Sequence, residues 1–192
     1  MRRPTGWTLL AVLMLLAVAS ASAQSPQDSA QSSQQRKGFW IGFGLGAGHL
    51  GCGDCDDEPG GGFSGHLKLG GAPSRKILVG FESMFWAKHD DDLDANLSYG
   101  NASAIVQFFP GANSGFFLKG GLGIAFSELV VSLGQGVTLT ETQSGVGSTF
   151  GVGWDLRVGG NLSITPVLNL GFGSLDDANV SLLHLAVGLT WH

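Results

Sequence analysis

Three residue patterns in this 192-residue chain have the types and spacing for chemistry. The first is acidic: Asp56-Asp57-Glu58 and Asp90-Asp91-Asp92-x-Asp94 group hard oxygen ligands of the kind that capture Ca²⁺ or Mg²⁺. The second run has the charge of a calcium loop without the glycine and distal Glu of an EF-hand, and simple solvation of exposed loops is the first expectation for both runs, with cation capture the sharper alternative. The second pattern is Cys52-Gly53-Asp54-Cys55. A C-x-x-C does redox work in a βαβ setting, which nothing here indicates. With His49 it offers three zinc ligands, H-x-x-C-x-x-C. A small-ring disulfide between Cys52 and Cys55 is the third reading, and the one expected in an oxidising compartment. The third pattern is a scatter of titratable residues, His66, Lys68, Glu82, Lys88, Lys119, Asp155, Arg157 and His184, joined by Asn101 and Gln107. Whether these meet depends on the elements that carry them.

Those elements alternate. In residues 38–48, Phe39, Ile41, Phe43, Leu45 and Ala47 interleave with Trp40, Gly42, Gly44, Gly46 and Gly48. Period-two alternation is a strand, whose successive side chains point to opposite faces. Four successive glycines on one face bury almost no side chain, so they cannot build a soluble core. They fit the interior of a narrow barrel, where they leave space for bulky neighbours. The same alternation marks 63–71, 77–88, 99–109, 115–127, 146–158, 162–173 and 181–192. In the last of these, Leu183, Leu185, Val187, Leu189 and Trp191 oppose His184, Ala186, Gly188, Thr190 and His192. The segments run to roughly nine to thirteen residues, the length a tilted strand needs to cross a bilayer. Their even number returns the chain to its starting side. The expected fold is all-β: an eight-stranded antiparallel up-and-down transmembrane β-barrel with its apolar faces turned to lipid. Pro166 cannot donate to a ladder, so a bulge or a missing hydrogen bond is expected in 162–173.

In such a barrel the titratable residues point into the lumen. Buried charges must be paired, so a salt-bridge network plugging the interior is expected, with Glu82 facing Lys68 and Asp155 reaching Lys119. A narrow pore for small solutes or ions is the alternative, although an eight-stranded interior is barely wide enough for its own side chains.

The chain start supports export. Arg2 and Arg3, the apolar run 9–18 and Ala21-Ser22-Ala23 read as a secretory signal peptide over 1–23. Residues 24–36, rich in Ser and Gln, read as a disordered lead-in to the barrel domain of 37–192. Without Arg2 and Arg3, eight of the ten basic residues remain against fifteen acidic ones, a formal charge of −7 that argues against a nucleic-acid partner. Charged residues make up 13% of the chain, about half of the soluble average of roughly 25%. No apolar run after the signal approaches the ~18 residues of a helical span.

Connections 71–76, 110–114 and 159–161 are short, and 50–62, 89–98, 128–145 and 174–180 are mostly longer. Twelve of the fifteen acids fall in the longer set, including Glu128, Glu141, Asp176 and Asp177, whereas Arg36-Lys37 and Arg75-Lys76 fall at the other end. With its signal, its eight alternating segments and its closing Gly188-Leu-Thr-Trp-His192, the chain resembles the small eight-stranded outer-membrane β-barrel proteins of the OmpA-like and OmpX-like group, from about Gly38 onward. The resemblance implies the cell outer membrane, with loops at the surface and both termini in the periplasm. It implies outer-membrane lipid and lipopolysaccharide as surroundings, and the barrel-assembly machinery as a partner. That machinery reads a terminal aromatic residue; here the aromatic is the penultimate Trp191 and His192 is last, a departure from the family pattern. No cofactor is expected, and a monomer is expected. Some barrels of this kind act on lipid A, but the outward face here offers only Ser83, while His66 and His184 point inward, so no enzyme is expected. The expected role is structural, or a cell-surface interaction through acidic external loops.

Overall fold

The structure is a computed structural model and describes residues 36–53, 59–90, 95–132, 138–176 and 178–192. Residues 1–23, read as a signal peptide, and all but the end of the expected lead-in lie outside the described residues. The strands are β1 (Gly38–Cys52), β2 (Gly60–Ser74), β3 (Ile77–Asp90), β4 (Ala95–Phe108), β5 (Phe116–Ser132), β6 (Thr138–Trp154), β7 (Leu156–Gly159), β8 (Leu162–Leu175) and β9 (Asn179–Trp191). Strands β1 to β6 pair in succession, β9 pairs with both β8 and β1, and β8 takes β6 and then β7 on its other edge. All these pairings are antiparallel and the sheet closes on itself. Strands β6 and β7 are successive stretches of one wall strand, so the barrel has the eight strands expected.

The interruption between β6 and β7 has a local cause. Gly153 pairs with Val167 and Leu156 with Ile164 in a single register, which leaves Trp154 and Asp155 opposite Pro166 and Thr165. Proline offers no N–H to the ladder. On the β5 side the wall is intact, and the Asp155 N–H donates to the Gly115 carbonyl at 2.9 Å. The expected defect at Pro166 is thus a lost stretch of ladder, with no bulge at that point.

The alternation read from the sequence sets the two faces of the wall. In β9 every second residue is buried from Val180 to Thr190, and the residues between are exposed. The exposed large apolar side chains, among them Phe39, Phe81, Leu122, Val146, Leu185 and Trp191, form a band around the outside. In water such a surface would be an aggregation hazard; facing lipid it is what a transmembrane barrel requires. The glycine face of β1 serves close approach. A Cβ added at Gly46 would collide with the Leu185 carbonyl and stand 2.7 Å from the Ala186 Cα.

The interior is filled in layers. At the end carrying both termini, Trp40, Leu78, Ile105, Phe109, Phe117, Val167 and Ala186 form one apolar cluster. At the far end, Leu50, Trp86, Tyr99, Ala125, Leu175, Val180 and Leu182 form another. A polar belt lies between them.

The far rim departs from expectation. The strands run on past their apolar stretches, so the connections 53–59, 91–94, 133–137 and 176–178 are shorter than the sequence reading gives. The β5–β6 ladder continues to Ser132 opposite Thr138, whereas β6–β8 stops at Gly145 opposite Leu175. Likewise β3–β4 runs to Asp90 opposite Ala95, while β2–β3 stops at Phe63 opposite Ala87. A four-stranded sheet, β3 to β6, therefore stands above the rest of the rim.

Candidate functional site

Two places bring chemistry-bearing residues together: the polar belt of the lumen and the raised rim.

In the belt, His66, Lys68, Glu82, Lys119, Asp155 and His184 are all buried, as expected. Their partners differ from those expected. Lys68 is the backbone pair of Glu82 across the β2–β3 ladder, yet Glu82 takes its salt bridge from Lys119 of β5. The Lys119 ammonium donates to both carboxylate oxygens, to Oε2 at 2.6 Å, and both side chains are buried. The expected Asp155–Lys119 pairing is replaced for the same reason. Inside a tilted, closed sheet a long side chain reaches across the lumen, past the strand between, and finds the opposite charge there. The Lys68 ammonium instead lies over the Phe117 ring, 4.9 Å from its centroid, and 5.8 Å from that of Trp40, a cation–π setting. Its Nζ has no hydrogen-bond partner among the described residues.

His66 and His184 meet edge-on, with ring centroids 5.4 Å apart, and the Asn169 amide donates to His184 Nδ1 at 3.2 Å. Neither histidine is near the outward face, where Ser83 lies exposed, so the three do not converge. Lys88 and Arg157, expected in the lumen network, are only half-buried and stand at opposite rims. Lys88 sits where β2 and β3 have parted, and donates to the Pro59 carbonyl at 2.8 Å.

Two residues at the terminal end, His192 and Arg36, make contacts that the sequence reading did not expect. His192 turns its side chain inward, with Nε2 3.1 Å from Asp155 Oδ2. Asp155 Oδ1 accepts from the Thr165 hydroxyl at 2.8 Å, and Thr165 Oγ1 lies 2.9 Å from Thr190 Oγ1. The backbone N–H of His192 donates to the Asn161 carbonyl at 2.9 Å. Period-two alternation places His192 on the inward face, and that was the signal for this contact. Arg36, read as the last residue of a disordered lead-in, is instead buried in the barrel mouth. Its guanidinium donates to the carbonyls of Arg75 and Ala112, each at 3.4 Å, and of Ser114 at 2.6 Å, and lies 3.5 Å from the Phe109 ring centroid. Burial lowers its pKa from 12.5 to about 10, against the pull of Asp155 in the other direction, so it stays a cation at neutral pH. A lone arginine in a Ser/Gln-rich stretch carries no periodic signal, which is why sequence reasoning passed over it.

At the raised rim, residues 138–144 of β6 pair with β5 alone among the described residues, which leaves their other backbone edge open there. Glu128 and Glu141, read as loop residues, lie in this sheet and are exposed. Glu141 Oε1 accepts from the Gln143 amide at 3.2 Å. The loop acids Asp56, Asp57, Glu58, Asp91, Asp92 and Asp94 lie outside the described residues, as does Cys55. Asp90 closes β3 opposite Ala95. Cys52 packs against the far apolar cluster inside the barrel, whereas His49 is exposed on the outer face. The H-x-x-C-x-x-C reading is thereby broken, because His49 and Cys52 sit on opposite sides of the wall. Among the described residues no group of three or more His, Cys, Asp or Glu side chains is placed to hold a metal.

A family model described as Outer membrane protein beta-barrel domain matches residues 9–192. A comparison with curated protein sequences gives no match. Among solved structures, the chain is similar to Ail, the attachment invasion locus protein of Yersinia pestis, solved in complex with the heparin analogue sucrose octasulfate. The identity is 16%, the match covers 81% of this chain and 99% of that one, and the TM-score is 0.63. It is also similar to Neisserial surface protein A, at 21% identity over 80% of this chain and 96% of that one, with a TM-score of 0.53. At these identities the likeness is one of fold.

Proposed function

Since the chain belongs to the outer-membrane β-barrel family and is an outer-membrane barrel, we propose that its far end faces the cell exterior and its termini the periplasm, and that it serves as a non-conducting surface-interaction protein. The observation that carries this is the open backbone edge of residues 138–144. A strand edge with unpaired N–H and C=O groups takes up an extended segment of another chain, main-chain bonds giving affinity and alternate side chains specificity. At about 3.3 Å per residue the open edge is roughly 20 Å long. Its exposed side chains are Thr138, Leu139, Thr140, Glu141, Thr142 and Ser144, with Glu128 exposed on the neighbouring strand. Such an edge suits an extended segment with basic residues. A sulfated saccharide of the kind bound to Ail is disfavoured here, because the exposed charges described at this rim, Glu128, Glu141 and Asp176, are acidic.

The apolar clusters at both ends of the lumen support the non-conducting reading over the pore, and a Cys52–Cys55 disulfide is included in the proposal. Proline scanning of residues 139–143 tests the edge. Extended peptides alternating Thr or Val with Lys should bind the barrel reconstituted in vesicles. Proline at positions whose N–H faces outward should leave the barrel folded and abolish that binding. Binding that survives the whole scan would sink the reading.

A further inference from the structure

The terminal end of the barrel carries a second surface, with the opposite charge. Lys37, Arg75 and Lys76 are all exposed there. They are contiguous. The Arg36 guanidinium donates to the Arg75 carbonyl at 3.4 Å, which draws residues 36–37 against the β2–β3 turn. The Lys76 carbonyl accepts from the Phe109 N–H at 2.8 Å, which fixes that turn against the end of β4. Among the described residues no exposed Asp or Glu lies at this end. Asp155 is buried and engaged with Thr165 and His192. The exposed acids Glu128, Glu141 and Asp176 all lie at the far rim. The barrel is therefore charge-polarised along its axis.

The height of these cations decides what they meet. Lys37 precedes the outward Phe39 by two residues, and Lys76 directly precedes the outward Ile77; the two apolar side chains are 64% and 39% exposed. At about 3.3 Å per residue, the ammonium-bearing residues emerge roughly 3–7 Å beyond the last lipid-facing side chains. That is headgroup depth, not open solvent. The outward aromatics Trp154 and Trp191 stand at the same end, 48% and 57% exposed, as expected of an interfacial girdle. Basic side chains at headgroup level attract anionic lipid phosphates, and Lys and Arg have long stems that lay apolar carbons along the wall while the charge reaches the interface.

We propose that Lys37, Arg75 and Lys76 form a collar that binds the phosphates of anionic phospholipid headgroups around the terminal end of the barrel. The inference concerns the end opposite to the proposed contact edge, and holds whichever way the barrel is inserted. Its success or failure is thus separable from the surface-interaction reading.

The test uses the protein reconstituted in nanodiscs of phosphatidylcholine with a one-quarter fraction of phosphatidylglycerol, the lipids retained by the barrel being counted by native mass spectrometry. The native protein should retain phosphatidylglycerol above its share of the bilayer, and the enrichment should fall as salt is raised. At about 1 kcal/mol per cation, each charge contributes about five-fold to the preference, so K37Q/R75Q/K76Q should return retention to the bulk ratio. E128Q/E141Q, at the far rim, should leave it unchanged. Folding of each variant is read from heat-modifiable gel migration. Should K37Q/R75Q/K76Q fail to fold, K37Q and K76Q serve singly in its place and each should lower the enrichment by about five-fold, unchanged enrichment in both overturning the proposal. Equal enrichment in the native protein and K37Q/R75Q/K76Q would overturn the proposal. So would loss of the enrichment on adding soluble glycerol phosphate at millimolar concentration, which would show a free-phosphate site rather than a lipid collar, or capture of an acidic peptide in preference to lipid.

Discussion

His192 Nε2 lies 3.1 Å from Asp155 Oδ2, with the two side chains 4% and 0% exposed. His192 thus reaches back across β8 to the point where β6 gives way to β7, beside the gap that Pro166 opens in the ladder. Period two turns Trp191 out to lipid and leaves the next side chain inside.

Removing that imidazole should loosen the terminal end. His192→Ala strips Asp155 of one of its two side-chain hydrogen-bond partners among the described residues, Thr165 and His192, in a buried setting, where an unmet acceptor costs about 1–3 kcal/mol. Urea unfolding of the reconstituted barrel, followed by heat-modifiable gel migration, should show a loss of that size while Trp191 stays in place. Unchanged stability would mean that the pair contributes nothing.

The Glu82–Lys119 pair should behave as a unit. Glu82→Gln alone leaves Lys119 buried and uncompensated, with Lys68 on the neighbouring strand, and should cost about 3–5 kcal/mol. Glu82→Gln combined with Lys119→Met removes both charges and should recover most of that loss. A double-mutant cycle of unfolding free energies measures the coupling; additive losses would refute it.

Two glycine-to-alanine changes should differ in outcome. Gly46→Ala drives a methyl into the backbone of β9 at Leu185 and Ala186, so an overpacking cost of about 3 kcal/mol or more, or failure to fold, is expected. Gly120→Ala, on the outer face, meets only the Phe150 ring, at 3.8 Å, and should change stability by less than about 0.5 kcal/mol. Folded yield on a gel separates the two.

The barrel should not conduct. With an apolar cluster filling the interior at each end, reconstituted protein in a planar bilayer should show no steady current above the lipid baseline. Stepwise openings would favour the pore instead.

Intact mass before and after reductant should differ by about two hydrogens, as one disulfide requires. Two thiols that react with an alkylating agent in non-reducing conditions would remove Cys52–Cys55 from the proposal.

The wall was legible in the sequence because its signal is geometric: Phe39 to Ala47 and Leu183 to Trp191 alternate without exception, and a strand necessarily sends such alternating side chains to opposite faces. The rim was not, because above the lipid both faces of a strand can be polar. Thr138 to Gln143 hides a strand among Thr, Glu and Gln, and Glu128 and Glu141 read as loop. The identity of charge partners was also hidden. Ladder neighbours follow from register, but Lys119 finds Glu82 by reaching past β4, and that depends on the tilt and closure of the sheet, which no local pattern encodes. Arg36 is a contact made by a single residue outside any repeating element.

The gap between β6 and β7 has a kinetic consequence. Below the raised rim the closed wall has no fraying edge, so its backbone amides exchange slowly wherever the ladder is whole. Opposite Pro166 the ladder is incomplete: Trp154 and Asp155 keep their partners on the β5 side, Phe116 and Gly115, and lack ladder pairing to β8. Deuterium should enter the wall there first, and the barrel should begin to unzip along that line, beside its own C-terminus.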